Sequence, residues 1–256
     1  MKIATWNVNS INVRLEYLIK WIKENNYPEV ICLQETKTVD EKFPKQQLEG
    51  LGYNCYFRGQ KSYNGVAVLS KTKLEILNIE NQILNKEVRV IHAKSDKFNI
   101  ICVYIPNGQL VGSEKFVWKF EFLKEFEKYC LSFIKSDQPL FVCGDINMIY
   151  DDIDVYDPGK FNGMIMNSIQ ERSWLKNFLR LGLTDSYRFL NPDKKEYSWF
   201  DYITLAFNFN RGWRIDYVLT NIPATKLLKT AIIEQGSRGW ERPSDHCPVI
   251  VEFELK

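Results

Sequence analysis

The stretch LFVCGDIN, residues 140–147, is apolar for four residues and then turns abruptly polar at Gly144, Asp145 and Asn147. An unbroken apolar run of this length reads as a strand covered on both faces, which requires a layered architecture rather than one half-exposed sheet. VICLQET, residues 30–36, follows the same rule: it is apolar through Leu33 and ends at Glu35. SDHCPVIVEF, residues 244–253, reverses the order, with Asp245 and His246 ahead of the apolar residues. If this last strand runs antiparallel to the other two, its beginning lies at the rim where they end. Glu35, Asp145, Asp245 and His246 then converge on one edge.

The rest of the chain fits such layers. KIATWNVN and PEVICLQE read as strands, and between them Leu15, Leu18, Ile19 and Ile22 fall at helical spacing, so residues 14–25 form an amphipathic helix. VRVIHA and FNIICVYIP are joined by KSDK as a hairpin. SEKFVWKFEFLKEFEKYCLSFIK is a long helix with Phe116, Phe120, Leu123, Phe126 and Phe133 largely on one face. A second helix, SIQERSWLKNFLRLG, starts with a capping box, Ser168 with Glu171. The final strands are RIDYVLT, TAIIEQ and PVIVEFEL. No linker separates these elements, so residues 1–256 are expected to form one α/β domain, two packed sheets with helices outside. Residues 148–167 are expected to be a long loop without secondary structure, and loops of that length in compact domains are often functional.

Composition narrows the chemistry. At 45% hydrophobic and 14% aromatic residues there is ample material for a core. A formal net charge of +2 argues against gripping phosphate with a broad basic surface alone, so a polyanion would need metal or local patches. None of the six cysteines forms C-x-x-C, and several lie in apolar runs. They read as reduced core thiols of a cytoplasmic protein. MKIATWNVN is too short and polar for a secretory signal, and no apolar stretch is long enough to span a bilayer.

Carboxylates gathered at one rim repel unless a positive charge sits among them. A hard divalent cation such as Mg²⁺ suits oxygen ligands, whereas zinc would want more His or Cys than this rim offers. Asp216, in GWRIDYVL, is flanked by apolar residues and needs a partner if buried. His246 is the obvious one, because a carboxylate on one imidazole nitrogen fixes the tautomer and aims the other. Tyr104 ends one apolar strand and Asn7 ends the first. His92 sits mid-strand with no acid beside it and reads as structural. Taken singly, each residue has an ordinary explanation; the recurrence of polar residues at one rim carries the signal.

At these residues the sequence resembles the exonuclease III type of AP endonucleases, within the endonuclease/exonuclease/phosphatase superfamily. The matching blocks are WNVNS at 6–10, LQETK at 33–37, YIPNG at 104–108, GDIN at 144–147, SWFDY at 198–202, NRGWRIDY at 210–217 and SDH at 244–246. The resemblance implies a four-layer αββα sandwich of two packed mixed β-sheets flanked by helices. It implies Mg²⁺, with Mn²⁺ as a substitute, bound by Glu35 and lined by Asn7, Asn9, Asp145, Asn147, Asp245 and His246. Asp145 then activates water, Asn147 orients the phosphate, His246 with Asp216 contacts the scissile group, and Tyr104 is a catalytic tyrosine. Asn107 matches a phosphate-contacting position, and Trp199, Trp213 and Ile215 match an apolar pocket for a flipped-out baseless sugar. The position of Trp213 beside Arg211 and Gly212 points to an exposed platform. Ser10 stands where the family usually carries Gly, and Leu110 near where animal relatives place a DNA-inserting Arg.

The activity implied is metal-dependent cleavage of DNA 5′ to abasic sites, with 3′→5′ exonuclease and 3′-phosphodiesterase activity. The partner is double-stranded DNA carrying abasic sites or 3′ ends, met by a monomer at the nucleoid. Two other readings compete: a phosphodiesterase of the same superfamily acting on phospholipids or inositol phosphates, and a non-catalytic nucleic-acid-binding module that kept the fold.

Overall fold

Twelve strands form two six-stranded sheets in the computed structural model, which describes residues 1–255. The chain starts one sheet with β1 (Lys2–Asn7), β2 (Val30–Gln34), β3 (Asn54–Arg58) and β4 (Val66–Ser70). It then builds the other from β5 (Glu75–Ile76), β6 (Val90–Lys94), β7 (Asn99–Tyr104), β8 (Leu140–Asp145), β9 (Leu183–Asp185) and β10 (Asp216–Asn221). It returns to the first with β11 (Leu228–Ile233) and β12 (Val249–Phe253). The strand orders are β11-β12-β1-β2-β4-β3 and β5-β6-β7-β8-β10-β9.

Three packed layers of side chains hold the four layers of backbone together. Between the sheets lie Ile3, Val30, Cys32, Val66 and Val68 from one and Ile100, Cys102, Phe141, Cys143 and Val218 from the other. The alternate residues of the second sheet, Val103, Val142 and Leu219 among them, face helices Glu114–Ile134 and Ile169–Arg180. Ala4, Trp6, Ile31 and Leu33 face helix Ile11–Glu24 on the opposite outside. The central strands are apolar on both faces because both faces are covered. The architecture is the αββα sandwich of two mixed sheets that the sequence motifs implied.

Register decides where the strands end together. β1 is parallel to β2 and antiparallel to β12, so the start of β12 meets the ends of β1 and β2. In the other sheet Asp145 is the register partner of both Tyr104 on β7 and Asp216 on β10. Gly144 permits the close approach there, since a Cβ on it would lie 1.8 Å from the Val103 carbonyl oxygen.

Some expectations need correction. The first helix begins at Ile11 rather than residue 14, because Ser10 turns the chain at φ 86° directly into it. On helix Glu114–Ile134 the buried residues include Phe116, Lys119, Phe122, Leu123 and Phe126, whereas Phe120 and Phe133 are only half-buried. Residues 148–167 are not structureless. They contain a 3₁₀ turn at Asp152–Asp154 with a capping box and a short helix at Pro158–Phe161. Asp154 is fully buried there and takes two hydrogen bonds from Arg214, at 2.8 and 2.9 Å, and one from Arg188. A buried carboxylate needs partners, and these two arginines fasten the segment to the second sheet. The six cysteines are free thiols, as read. Among the described residues no helix is long and apolar enough to cross a membrane.

Candidate active site

The strand ends at the shared rim leave in unusual backbone conformations. Asn9 (φ 44°) and Ser10 follow β1, Glu35 (φ 50°) and Lys37 (φ 51°) follow β2, and Asn147 (φ 51°) follows β8. Residues other than glycine adopt this left-handed region at a cost, and such strain clusters where side chains must be aimed. Here the result is a group of Glu35, Asp145 and His246 whose ligand atoms all lie within 4.8 Å of one another.

Hydrogen bonds lace this group. The Nδ2 of Asn7 donates to Glu35 Oε1 at 2.8 Å and to Asp145 Oδ2 at 3.0 Å, standing between the two acids. Tyr104 donates its hydroxyl to Glu35 Oε1 at 2.9 Å. Asp145 Oδ1 accepts the backbone N–H of Asn147 at 2.9 Å. His246 Nδ1 lies 2.9 Å from Asp216 Oδ2, and its Nε2 is 3.7 Å from Asp145 Oδ2. The Asp216 carboxylate can only accept, so Nδ1 carries the proton.

Electrostatics separate the groups. Burial raises the Asp145 carboxyl well above the usual range; the His246 charge opposes this, and Asp216 and Glu35 add to it. Burial would lower the His246 imidazole, but Asp216 and Asp145 outweigh it and hold the ring protonated at neutral pH. Burial also works to raise Glu35, yet the Lys37 ammonium and the bond from Asn7 bring it below the usual carboxylate range. Burial, Glu35 and Asp145 together push the Tyr104 phenol well up, so it stays neutral.

The other expected site residues fall into two sets. Asn147 and Asn107 join the rim, with Asn107 Nδ2 donating to Asn147 Oδ1 at 3.2 Å and Asn147 Nδ2 donating to the Ile105 carbonyl at 2.9 Å. Asn9 and Asp245 stand beside the tight group rather than in it. Asp245 accepts from Asn9 Nδ2 at 2.9 Å and from Trp199 Nε1 at 3.0 Å. Trp213 and Ile215 pack with Ile149, Val155 and Met166, and half-buried Trp199 closes the cluster, its ring centroid 5.7 Å from that of Trp213. Trp213 is not an exposed platform: it is 6% exposed. Gly212 lets its segment press onto Tyr197, where a Cβ would come within 2.4 Å, and backbone bonds to Trp199 hold it there. Leu110 is exposed.

Several contributors escaped sequence reasoning. Lys37 bridges Glu35 Oε2 at 2.6 Å and Asn9 Oδ1 at 2.7 Å. Its place in LQETK was the one available signal. Ser198 Oγ accepts the backbone N–H groups of Ile215 and Asp216, each at 3.1 Å, and Ser244 Oγ donates to the Asn7 carbonyl at 2.6 Å. Arg14 reaches the Asn9 and Pro243 carbonyls, and the Arg89 guanidinium lies 4.7 Å over the Tyr104 ring. Nothing local to either arginine announces such a contact.

A two-sheet sandwich with a buried acidic rim and an Asp–His pair defines a class, and the chain belongs to it: the Endonuclease/Exonuclease/phosphatase family matches residues 4–246. Within that family it is similar to Exodeoxyribonuclease III of Haemophilus influenzae, 32% identical over 99% of this chain and 100% of the relative. Exodeoxyribonuclease of Bacillus subtilis is also 32% identical, over 97% and 98%. Among solved structures, the 3′ phosphatase NExo from Neisseria, bound to a product DNA hairpin, superposes with a TM-score of 0.95 at 37% identity over the whole of both chains. An AP endonuclease from Archaeoglobus fulgidus gives 0.94 at 33%, again over both whole chains.

Proposed function

We propose that this protein is a metal-dependent DNA-repair nuclease that hydrolyses the phosphodiester 5′ to an abasic site and also trims 3′ ends as an exonuclease and 3′-phosphodiesterase. The observation that carries the reading is the grouping of Glu35, Asp145 and His246 within 4.8 Å, with His246 anchored to Asp216. The whole-length similarity to exodeoxyribonucleases, a 3′ phosphatase and an AP endonuclease supports DNA as the substrate.

The residues fit a hard divalent ion. Even with Lys37 on Glu35 and His246 nearby, burial keeps the Asp145 carboxyl above its usual range, so a further cation among these oxygen donors would let both acids ionise, and such donors suit Mg²⁺ or Mn²⁺. Glu35 and Asp145 would hold it, with Asn7, Asn9, Asn147 and Asp245 around them, while His246 beside them keeps its Nε2–H for the phosphate. Such an ion polarises a phosphoryl oxygen and lowers the pKa of bound water.

The chain's own groups supply the rest. Asp145, once ionised, accepts the proton of the attacking water and aims it at phosphorus. His246 keeps its Nδ1 proton on Asp216 and presents Nε2–H to the phosphoryl oxygen on which charge develops. Asn147 and Asn107 place amide groups beside that oxygen, and neutral Tyr104 holds Glu35 in position. Half-buried Trp199, backed by Trp213 and Ile215, offers an apolar wall to a sugar without a base, whose extrusion costs little stacking. The enzyme acts as a monomer in the cytoplasm, where its free thiols stay reduced.

Product mapping with purified protein and Mg²⁺ on an abasic duplex and a blunt duplex tests this. Incision on the 5′ side of the lesion, abolished by EDTA, is the expected result. Metal-independent or absent cleavage overturns it, and turnover of an inositol phosphate or lipid headgroup in its place moves the protein to another branch of the family.

A further inference from the structure

Lys119 lies on the apolar face of helix Glu114–Ile134 and is fully buried, as is its partner Glu171. Its ammonium has three protons and all are placed. Nζ donates to Glu171 Oε1 at 2.5 Å, to the Asn147 carbonyl at 2.9 Å and to the Asn107 carbonyl at 3.2 Å. Those carbonyls belong to the two loops that leave the parallel strands β7 and β8 at the rim. Above them the two side chains bond to each other. The Asn107 loop also rests on the lysine stem, since a Cβ on Gly108 would lie 3.2 Å from Lys119 Cδ.

Fold stability alone gives a poor reason for this arrangement. A buried ion pair commonly contributes no more than two well-packed apolar side chains of similar size. Glu171 is not required as an acid by its own helix either. Its Oε2 takes the Ser168 N–H and hydroxyl, a capping box that glutamine completes equally well. What an apolar pair cannot do is hold two carbonyl groups of separate loops at one point.

We infer that Lys119, neutralised by Glu171, is a positioning residue for the reaction: from beneath the rim it fixes the backbone of Asn107 and Asn147 and so sets where their side chains meet the phosphate. The inference rests on the nuclease reading for its catalytic part and on geometry alone for its loop-holding part.

Two measurements on K119M, K119R and wild type test both parts. Hydrogen exchange by mass spectrometry over residues 105–109 and 146–148 is expected to speed up in K119M and to stay near wild type in K119R. With abasic duplex and Mg²⁺, K119M is expected to lose about 10–100-fold in kcat with KM held within about threefold, as for displaced but intact catalytic groups, and K119R to recover most of the loss. Wild-type kcat in K119M, or unchanged exchange in both loops, overturns the inference. Should K119M fail to melt cooperatively, K119M/E171M removes both charges together and carries the same two criteria. If the wild-type chain cleaves no abasic duplex, the nuclease reading fails, and the exchange measurement still decides the loop-holding role.

Discussion

His246 and Asp216 come from different sheets and are joined across them, Nδ1 to Oδ2 at 2.9 Å, with both side chains almost wholly buried. Asp216 Oδ1 has no hydrogen-bond partner within the protein, so the carboxylate's one hydrogen bond is to the imidazole.

This pairing predicts a loss of turnover when either partner is replaced. His246→Ala removes the group that faces the phosphate, and Asp216→Asn removes the carboxylate charge that anchors the ring and favours its protonation. Each is expected to lower kcat on abasic duplex by about 10²–10⁴-fold while the Kd for the same duplex, measured by fluorescence anisotropy, stays near wild type. Retained turnover in His246→Ala would remove this residue from the mechanism.

Metal affinity can be read without substrate. A ligand that binds only the folded state stabilises by about 2.7 kcal/mol at a hundredfold excess over its Kd. Mg²⁺ or Mn²⁺ should therefore raise Tm in the wild type, EDTA should reverse it, and Glu35→Gln should blunt it together with activity. A Tm indifferent to the ion in the wild type would argue against Glu35 and Asp145 as its ligands.

Ser10 offers a gain of stability. It sits at φ 86° and ψ 105° ahead of the first helix, and its side chain makes no capping bond. Ser10→Gly relieves backbone strain at some cost in unfolded-state entropy, for a net gain of roughly 0.5–1 kcal/mol in urea denaturation. Ser10→Val, β-branched at the same φ, should lose stability. The reverse ranking would show that the left-handed turn is not maintained in solution.

His92 predicts a pH dependence away from the rim. It is buried, bonded to the Tyr129 hydroxyl at 2.7 Å and to Asn99 Oδ1 at 3.1 Å, and burial lowers its pKa from 6.5 to about 4. The unfolded chain therefore binds this proton more readily than the fold. Stability is full above pH 6.5 and is lost as pH falls toward 4, by on the order of 3 kcal/mol. His92→Gln should flatten that part of the stability–pH curve, and an unchanged slope would exclude His92 as its source.

Much of the site was legible because polar residues interrupt apolar runs. Glu35 directly follows one strand that must be covered on both faces and Asp145 ends another, and Asp245 and His246 stand just before a third. Chain direction alone then sends them to a common rim. The Ser168–Glu171 capping box was legible because its partners are local. Trp213 was misjudged because Ile149, Val155, Phe161 and Met166, distant in sequence, cover it.

The amino-acid sequence by itself determined the layers, the strand ends and the residue types available there, since periodicity and the placement of charge are properties of short segments. Tertiary structure decided the pairings. Whether Asp245 faces the acids or Trp199, whether Lys37 bridges Asn9 and Glu35, and whether Lys119 lies under Asn107 and Asn147 depend on the register between strands far apart in the chain. Positive φ angles at Ser10 and Glu35 are likewise imposed by neighbours, because no local preference favours them there, unlike at Asn9 and Asn147.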